Sequence, residues 1–177
     1  MKLTIERSAL LGALSHAQNV VERRNTIPIL SNLQLVAEAD SLNLTATDLD
    51  LAMVETVEAD VQQTGGTTAP AHILHDIVRK LPAGAQVELD RTEGRRMVVR
   101  AGRSKFELSC LPREDFPLMA DDDLPHQFVL PALDLHRLIE KTRFAISTEE
   151  TRYYLNGIFL HAPEAVSYTH LTLPTKA

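Results

Sequence analysis

Apolar positions change period along this chain, and the changes mark out its elements. Leu3-Thr4-Ile5 alternates as a short strand, and then Leu10, Leu14, Ala17 and Val21 recur in steps of four, three and four. That spacing draws one stripe on a helix, with Ser8 as the expected cap. Arg23-Arg24-Asn25 and Pro28 mark its end. Leu33, Leu35 and Ala37 alternate with Asn32, Gln34 and Val36, and Leu42, Leu44 and Ala46 with Asn43 and Thr45. Ala39-Asp40-Ser41 between them reads as a hairpin connection. A third extended run covers about Asp50 to Val61, and Gln62-Gln63-Thr64-Gly65-Gly66 reads as a loop.

A second cycle follows. Thr67-Thr68-Ala69 is a short strand, and Pro70 stands where a helix can start. Ile73, Leu74, Ile77, Val78 and Leu81 give that helix its apolar face, and Pro82-Ala83-Gly84 ends it. Strands are expected over Gln86–Leu89, Met97–Ala101 and Ser104–Cys110, with Phe106, Leu108 and Cys110 on one face. Residues 1–110 therefore read as strand-helix-three strands, twice. The fold class is α+β, with two helices packed on one face of a mostly antiparallel sheet.

Residues 111–125 are a proline-bearing acidic linker, and a third cycle opens with Gln127–Leu130 and a helix from about Ala132 to Phe144. Leu30-Ser-Asn-Leu-Gln-Leu35 aligns with Leu155-Asn-Gly-Ile-Phe-Leu160 at an offset of 125 positions, and the same offset matches Leu3 to Phe128 and Leu10 to Leu135. A repeat of that length is domain-sized. The expected organisation is a first domain over 1–120, the start of a second over 121–165, and a tail over 166–177 that matches nothing in the first copy and reads as non-native.

Composition narrows the function. The chain has 177 residues, one cysteine (Cys110) and no apolar run long enough to span a bilayer, so a soluble cytoplasmic protein without disulfides is expected. Net charge is −6, but the acid concentrates in the linker, where Glu114, Asp115, Asp121, Asp122 and Asp123 face one base, Arg113. The bases sit on helices: Arg23 and Arg24, Arg79 and Lys80, then Arg137, Lys141 and Arg143. Taken singly, such residues complement helix dipoles. Their recurrence admits a shared polyanion bound through phosphates without sequence preference.

Catalytic chemistry is not visible. Thr64-Gly65-Gly66-Thr67 lacks the spacing and lysine of a phosphate loop. Cys110 lies on a strand's apolar face as a structural thiol. His72 and His75 could share a metal but lack a clear third ligand. No cofactor, metal or enzymatic activity is expected.

Several motifs resemble one family. Met1-Lys-Leu-Thr-Ile-Glu-Arg7, Thr26-Ile-Pro-Ile-Leu-Ser-Asn-Leu33, Ala46-Thr-Asp-Leu49, Val99-Arg-Ala-Gly-Arg-Ser-Lys-Phe106, Leu111-Pro-Arg-Glu-Asp-Phe-Pro117 and Thr151-Arg-Tyr-Tyr-Leu-Asn-Gly157 are similar to the bacterial sliding clamp, the β subunit of DNA polymerase III. The resemblance implies a DNA-clamp fold with helices inside and sheet outside. It implies a homodimeric ring around duplex DNA that tethers the polymerase, with DNA polymerase III subunits, the clamp loader and clamp-binding peptides as partners. Arg23, Arg24, Arg79, Lys80, Tyr153 and Tyr154 are the implied DNA-binding residues, and Arg152, Tyr154 and Leu155 the implied part of the peptide groove. Arg103, Lys105, Phe106 and Leu108 match the dimer edge. Glu149 stands where a DNA-contacting Gln can occur. The remaining clamp domains fall outside the sequence, so this chain is not expected to close a ring. The alternative reading is a repeat-domain interaction module that binds short peptides without DNA; a small-molecule enzyme is the third.

Overall fold

The computed structural model describes residues 1–21, 26–91, 96–117 and 129–160, without the side chains of 150, 152 and 153. The chain clusters into two compact units, Met1–Ala120 and Asp121–Ala177.

In the first unit, β1 (Lys2–Glu6) leads into α1 (Arg7–Ala17), then β2 (Asn32–Glu38), β3 (Ser41–Thr47) and β4 (Ala52–Glu58). A short β5 (Asp60–Gln63) intervenes. The cycle then repeats as β6 (Gly65–Pro70), α2 (Ala71–Lys80), β7 (Gln86–Asp90), β8 (Arg96–Ala101) and β9 (Ser104–Ser109). The strands form two sheets, ordered β5-β1-β7-β8-β9 and β4-β3-β2-β6, and every pairing is antiparallel. The expected single sheet is thus two.

The reason lies in how the halves join. Each cycle's first strand leaves its own half: β1 pairs with β7 (Leu3 opposite Leu89, Ile5 opposite Val87), and β6 pairs with β2 (Leu33 opposite Ala69). The expected run from Asp50 to Val61 breaks at buried Ala59, whose N–H donates to the Asp40 carbonyl at 3.0 Å. Beyond that break β5 pairs with β1 instead of β3. Gln62, Gln63, Gly65 and Gly66, expected in a loop, lie in strands because β1 and β2 offer them backbone partners.

Both helices pack on this double sheet around one core. Leu10, Leu14, Leu74 and Val78 from the helices join Leu3, Ile5, Leu33, Leu35, Leu42, Leu44, Leu89, Met97 and Val99 from the strands. All are fully buried. The stripe Leu10, Leu14, Ala17, Val21 points inward as its spacing predicts. The cap is a correction: Glu6, not Ser8, accepts from the Ser8 and Ala9 N–H groups, at 2.9 and 3.1 Å. The Ser8 hydroxyl donates to the same carboxylate, since a Glu one residue before the helix reaches donors that a residue inside the first turn cannot. These bonds hold the Glu6 carboxyl below the ordinary carboxylate value, the Ser8 hydroxyl first among the causes. Pro70 likewise sits at the cap of α2, not inside it.

The segment after β9 is clipped to β6. Buried Thr68 donates its hydroxyl to the Leu111 carbonyl (2.9 Å), and accepts from the Leu111 N–H (3.0 Å) and from the Asn32 side-chain amide (2.9 Å). Phe116 is buried just beyond. A β-carbon on Gly66 would come within 2.9 Å of Arg113, so glycine there admits the strap's arginine.

In the second unit α3 (Ala132–Thr142) is followed by 3-10 turns at Arg143–Ala145 and Glu150–Leu155. The internal repeat holds only in part. The 3-10 turn Pro28–Ser31 precedes β2, and Glu150–Leu155 occupies the matching place, yet 158–160 form no strand. A strand needs neighbours to take its backbone bonds. β2 has β3 and β6 on either side, and the counterpart of β3 at the same offset begins at 166, outside the described residues. The expected strand at Gln127–Leu130 lies partly outside the described residues, and Val129 and Leu130 are in no element.

Thr68→Val keeps the shape but leaves the Asn32 amide and the Leu111 backbone without their buried partner. It is expected to cost about 1–3 kcal/mol in equilibrium urea unfolding. A second prediction concerns acid. Because Glu6 has a depressed pKa in the fold, its contribution is present above the unfolded carboxylate value and is lost as pH falls through the folded one. Glu6→Gln should therefore lower Tm at neutral pH, and the gap from the unsubstituted chain should close as the pH falls through the depressed Glu6 value.

Candidate nucleic-acid and partner interface

The two helices run antiparallel, and their ends are tied to each other. Arg7, at the start of α1, donates from Nε to the Val78 carbonyl (3.1 Å) and from Nη2 to the Arg79 carbonyl (2.8 Å) at the end of α2. At the opposite end His72, in the first turn of α2, meets the Val21 carbonyl through Nε2 at 3.0 Å. Midway, Ser15 Oγ and His75 Nε2 are 3.4 Å apart. His72 and His75 therefore turn to different partners, and no group of three metal-ligating side chains occurs among the described residues.

Arg79 and Lys80 close α2 at the end held by Arg7. Arg23 and Arg24 themselves lie outside the described residues. Arg79 is exposed and pairs with Asp76 at 3.4 Å. Lys80 lines a hollow of about 340 Å³ with Ile73, Ile77, Leu81, Ser104 and Phe106.

That hollow joins α2 to the hairpin expected at the dimer edge. Gly102, at φ 56°, makes the two-residue turn between β8 and β9, a left-handed position suited to glycine. Lys105 is exposed and holds Glu107 at 2.9 Å, which depresses the Glu107 pKa, with Arg96 adding at 3.3 Å. Phe106 is 38% exposed, while Leu108 is buried with Met97 and Cys110 in the core. Phe106 and Leu108 share a face, but only Leu108 is buried, and Phe106 borders the hollow beside α2. Burial also pushes the Cys110 thiol pKa up. Sequence reasoning missed Ile73, which is 54% exposed, and Ile77. The signal was present: Leu74, Val78 and Leu81 already fill the core stripe, so Ile73 and Ile77, four apart, form a second one.

In the second unit Tyr154 is 71% and Leu155 44% exposed, and the Leu155 carbonyl accepts from the Ser147 N–H at 3.0 Å. Leu155 differs from its repeat-mate Leu30, which is buried. The side chains of Arg152 and Tyr153 are not among those described. No described helix is long and apolar enough to cross a membrane.

Residues 1–120 match the sequence profile of the DNA polymerase III beta subunit, N-terminal domain. The chain belongs to the DNA polymerase III β-subunit family. It is 57% identical over 162 residues to the beta sliding clamp of Caulobacter vibrioides, covering 91% of this chain and 44% of that one. With the Escherichia coli K12 beta sliding clamp it shares 44% over 159 residues, 89% of this chain and 43% of that one. Among solved structures, the DNA polymerase sliding clamp of Caulobacter crescentus superposes with a TM-score of 0.85 at 57% identity, over 91% of this chain and 44% of that one. The Bartonella birtlesii sliding clamp bound to griselimycin gives 0.88 at 45% identity, over 93% and 44%. The chain thus spans less than half the length of these relatives.

Arg7 ties the helix pair. Arg7→Met should expose two C-terminal carbonyls of α2 and lower stability by about 1–2 kcal/mol in chemical denaturation. Under the same conditions Arg79→Met, which removes only a surface pair, should cost under about 1 kcal/mol.

Proposed function

We propose that this chain supplies the first domain, and the beginning of the second, of a sliding clamp that encloses duplex DNA and tethers the replicative polymerase. The observation that carries the reading is the β9 edge: a strand at the border of its sheet, with Arg103, Lys105 and partly exposed Phe106, next to the apolar hollow under Ile73 and Ile77. A domain built for a ring needs such an unfilled edge to meet its neighbour, and Phe106 with the two isoleucines supplies the apolar anchor. Leu108 serves from beneath, as core that fixes the strand carrying Phe106.

Retention by enclosure asks little of the inner surface. A net charge of −6 disfavours tight adhesion to phosphates, which suits a clamp that must slide. Arg23, Arg24, Arg79 and Lys80 are the proposed phosphate contacts, and Tyr153 and Tyr154 the stacking groups for DNA at the ring's opening. Arg152, Tyr154 and Leu155 form part of the proposed groove for short peptides of the polymerase and clamp loader. The exposure of Tyr154 and Leu155 supports that role. The ring does no chemistry of its own, and its place is with the chromosome in the cytoplasm. The proposed division into domains falls near residue 120, where the family profile and the first compact unit both end.

The test is primer extension by the cognate polymerase, with clamp loader and a full-length clamp bearing residues 1–160 of this chain. Products should lengthen strongly when the clamp is present, and Phe106→Asp should shorten them while converting the dimer to monomer in sedimentation. Unchanged product length with and without the clamp would contradict the reading, and would leave the peptide-binding alternative in its place.

A further inference from the structure

Arg7 does more than tie the helix pair. β1 and β7 run antiparallel with Glu6 opposite Gln86, and just beyond that pair the Arg7 N–H donates to the Ala85 carbonyl at 3.0 Å. The Arg7 side chain reaches back to α2, Nε to the Val78 carbonyl at 3.1 Å and Nη2 to the Arg79 carbonyl at 2.8 Å. One residue therefore grips α2 at 78 and 79, and the turn after it at 85. Between those points lie Lys80, Leu81 and Pro82. All three line the hollow that Ser104 and Phe106 line from the β8–β9 hairpin.

This short segment does not fix its own position. α2 stops at Lys80 because Pro82 disfavours helical geometry in the residue before it, and Leu81 is extended, at φ −70° and ψ 154°. Arg79, in the last turn, pairs with Asp76 and leaves its own carbonyl to Arg7. The shape of the donor matters here. A guanidinium presents Nε and Nη2 in one rigid plane, so the carbonyls of two adjacent residues are fixed in direction as well as in distance. A lysine ammonium would bring the same charge without the fork.

We propose that Arg7 is a positioning residue for the ring-closing edge: it holds Lys80, Leu81 and Pro82 in register with Phe106, so that the hollow meets the neighbouring subunit in one shape. The inference rests on the clamp reading of that edge. Arg7 acts through the backbone of α2, and no contact between Arg7 and the neighbour is required. The register comes from the exchanged strand, since the β1–β7 ladder delivers Arg7 to the end of α2. A cap that served stability alone would lower Tm when removed and leave the dimer as it was.

The test uses the full-length clamp bearing residues 1–160 of this chain, with the dimer dissociation constant measured by sedimentation beside Tm. Arg7→Met and the charge-keeping Arg7→Lys should each raise that constant about tenfold or more. Leu42→Val trims the core in the other sheet and serves as the control. With a comparable fall in Tm it should change the constant by less than about threefold. On a Phe106→Ala background the Arg7 substitutions should add little, because the segment then has no aromatic ring to be aligned with. The inference is overturned if both Arg7 variants dimerise like the unsubstituted clamp, if Leu42→Val weakens the dimer as much, or if the Arg7 and Phe106 effects simply add. Phe106→Ala alone judges the clamp reading of the edge: a dimer indifferent to it removes the hollow from ring closure and takes the inference with it.

Discussion

Everything in the first unit depends on a pair of exchanged strands. If β1 paired within its own cycle and β6 within the other, the chain would be two small half-domains, each with one helix and one thin sheet. Neither would bury enough apolar surface to offset its chain entropy. Placing Leu3 and Ile5 beside Leu89 and Val87, and Leu33 beside Ala69, makes each half complete the other's sheet. The helices then share one core, and the cross-ties of Arg7 and His72 fix their ends. In a fold closed in this way β4 and β9, like β5 and β6, border their sheets and pair on one side among the described strands. These edges are a by-product of the exchange that stabilises the domain.

Much of this was legible in the residues. Helical spacing placed α1 and α2, alternation placed β2, β3 and β7 to β9, and the doubled cycle emerged from order alone. Partner choice was not legible, because alternation says which side of a strand is apolar and nothing about which strand lies beside it. For that reason the two sheets, the break at Ala59 and the strand character of Gly65-Gly66 could only come from the pairing. Asn32 and Gln34 alternate with the apolar residues of β2, yet both are buried; Asn32 is accommodated by the Thr68 hydroxyl, a contact 36 residues away in sequence.

The candidate site divides along the same line. Arg103, Lys105 and Phe106 were found from their motif and lie together on one hairpin. Ile73 and Ile77 complete that surface and carried a readable sign, a second stripe beside the core one. The basic pairs are different. Arg79 and Lys80 lie at the end of α2 that Arg7 holds, whereas Arg23 and Arg24 lie outside the described residues. Periodicity along a chain does not carry the sense of neighbouring helices.

In the proposed reading a chain of net charge −6 is held on DNA by closure, and its contacts need not be strong. The most direct measurement is the lifetime of a full-length clamp bearing residues 1–160 on circular DNA, before and after one cut to linear form. Enclosure predicts long retention on the circle and rapid loss from the free ends once it is cut. Equal loss from circular and linear DNA would contradict it.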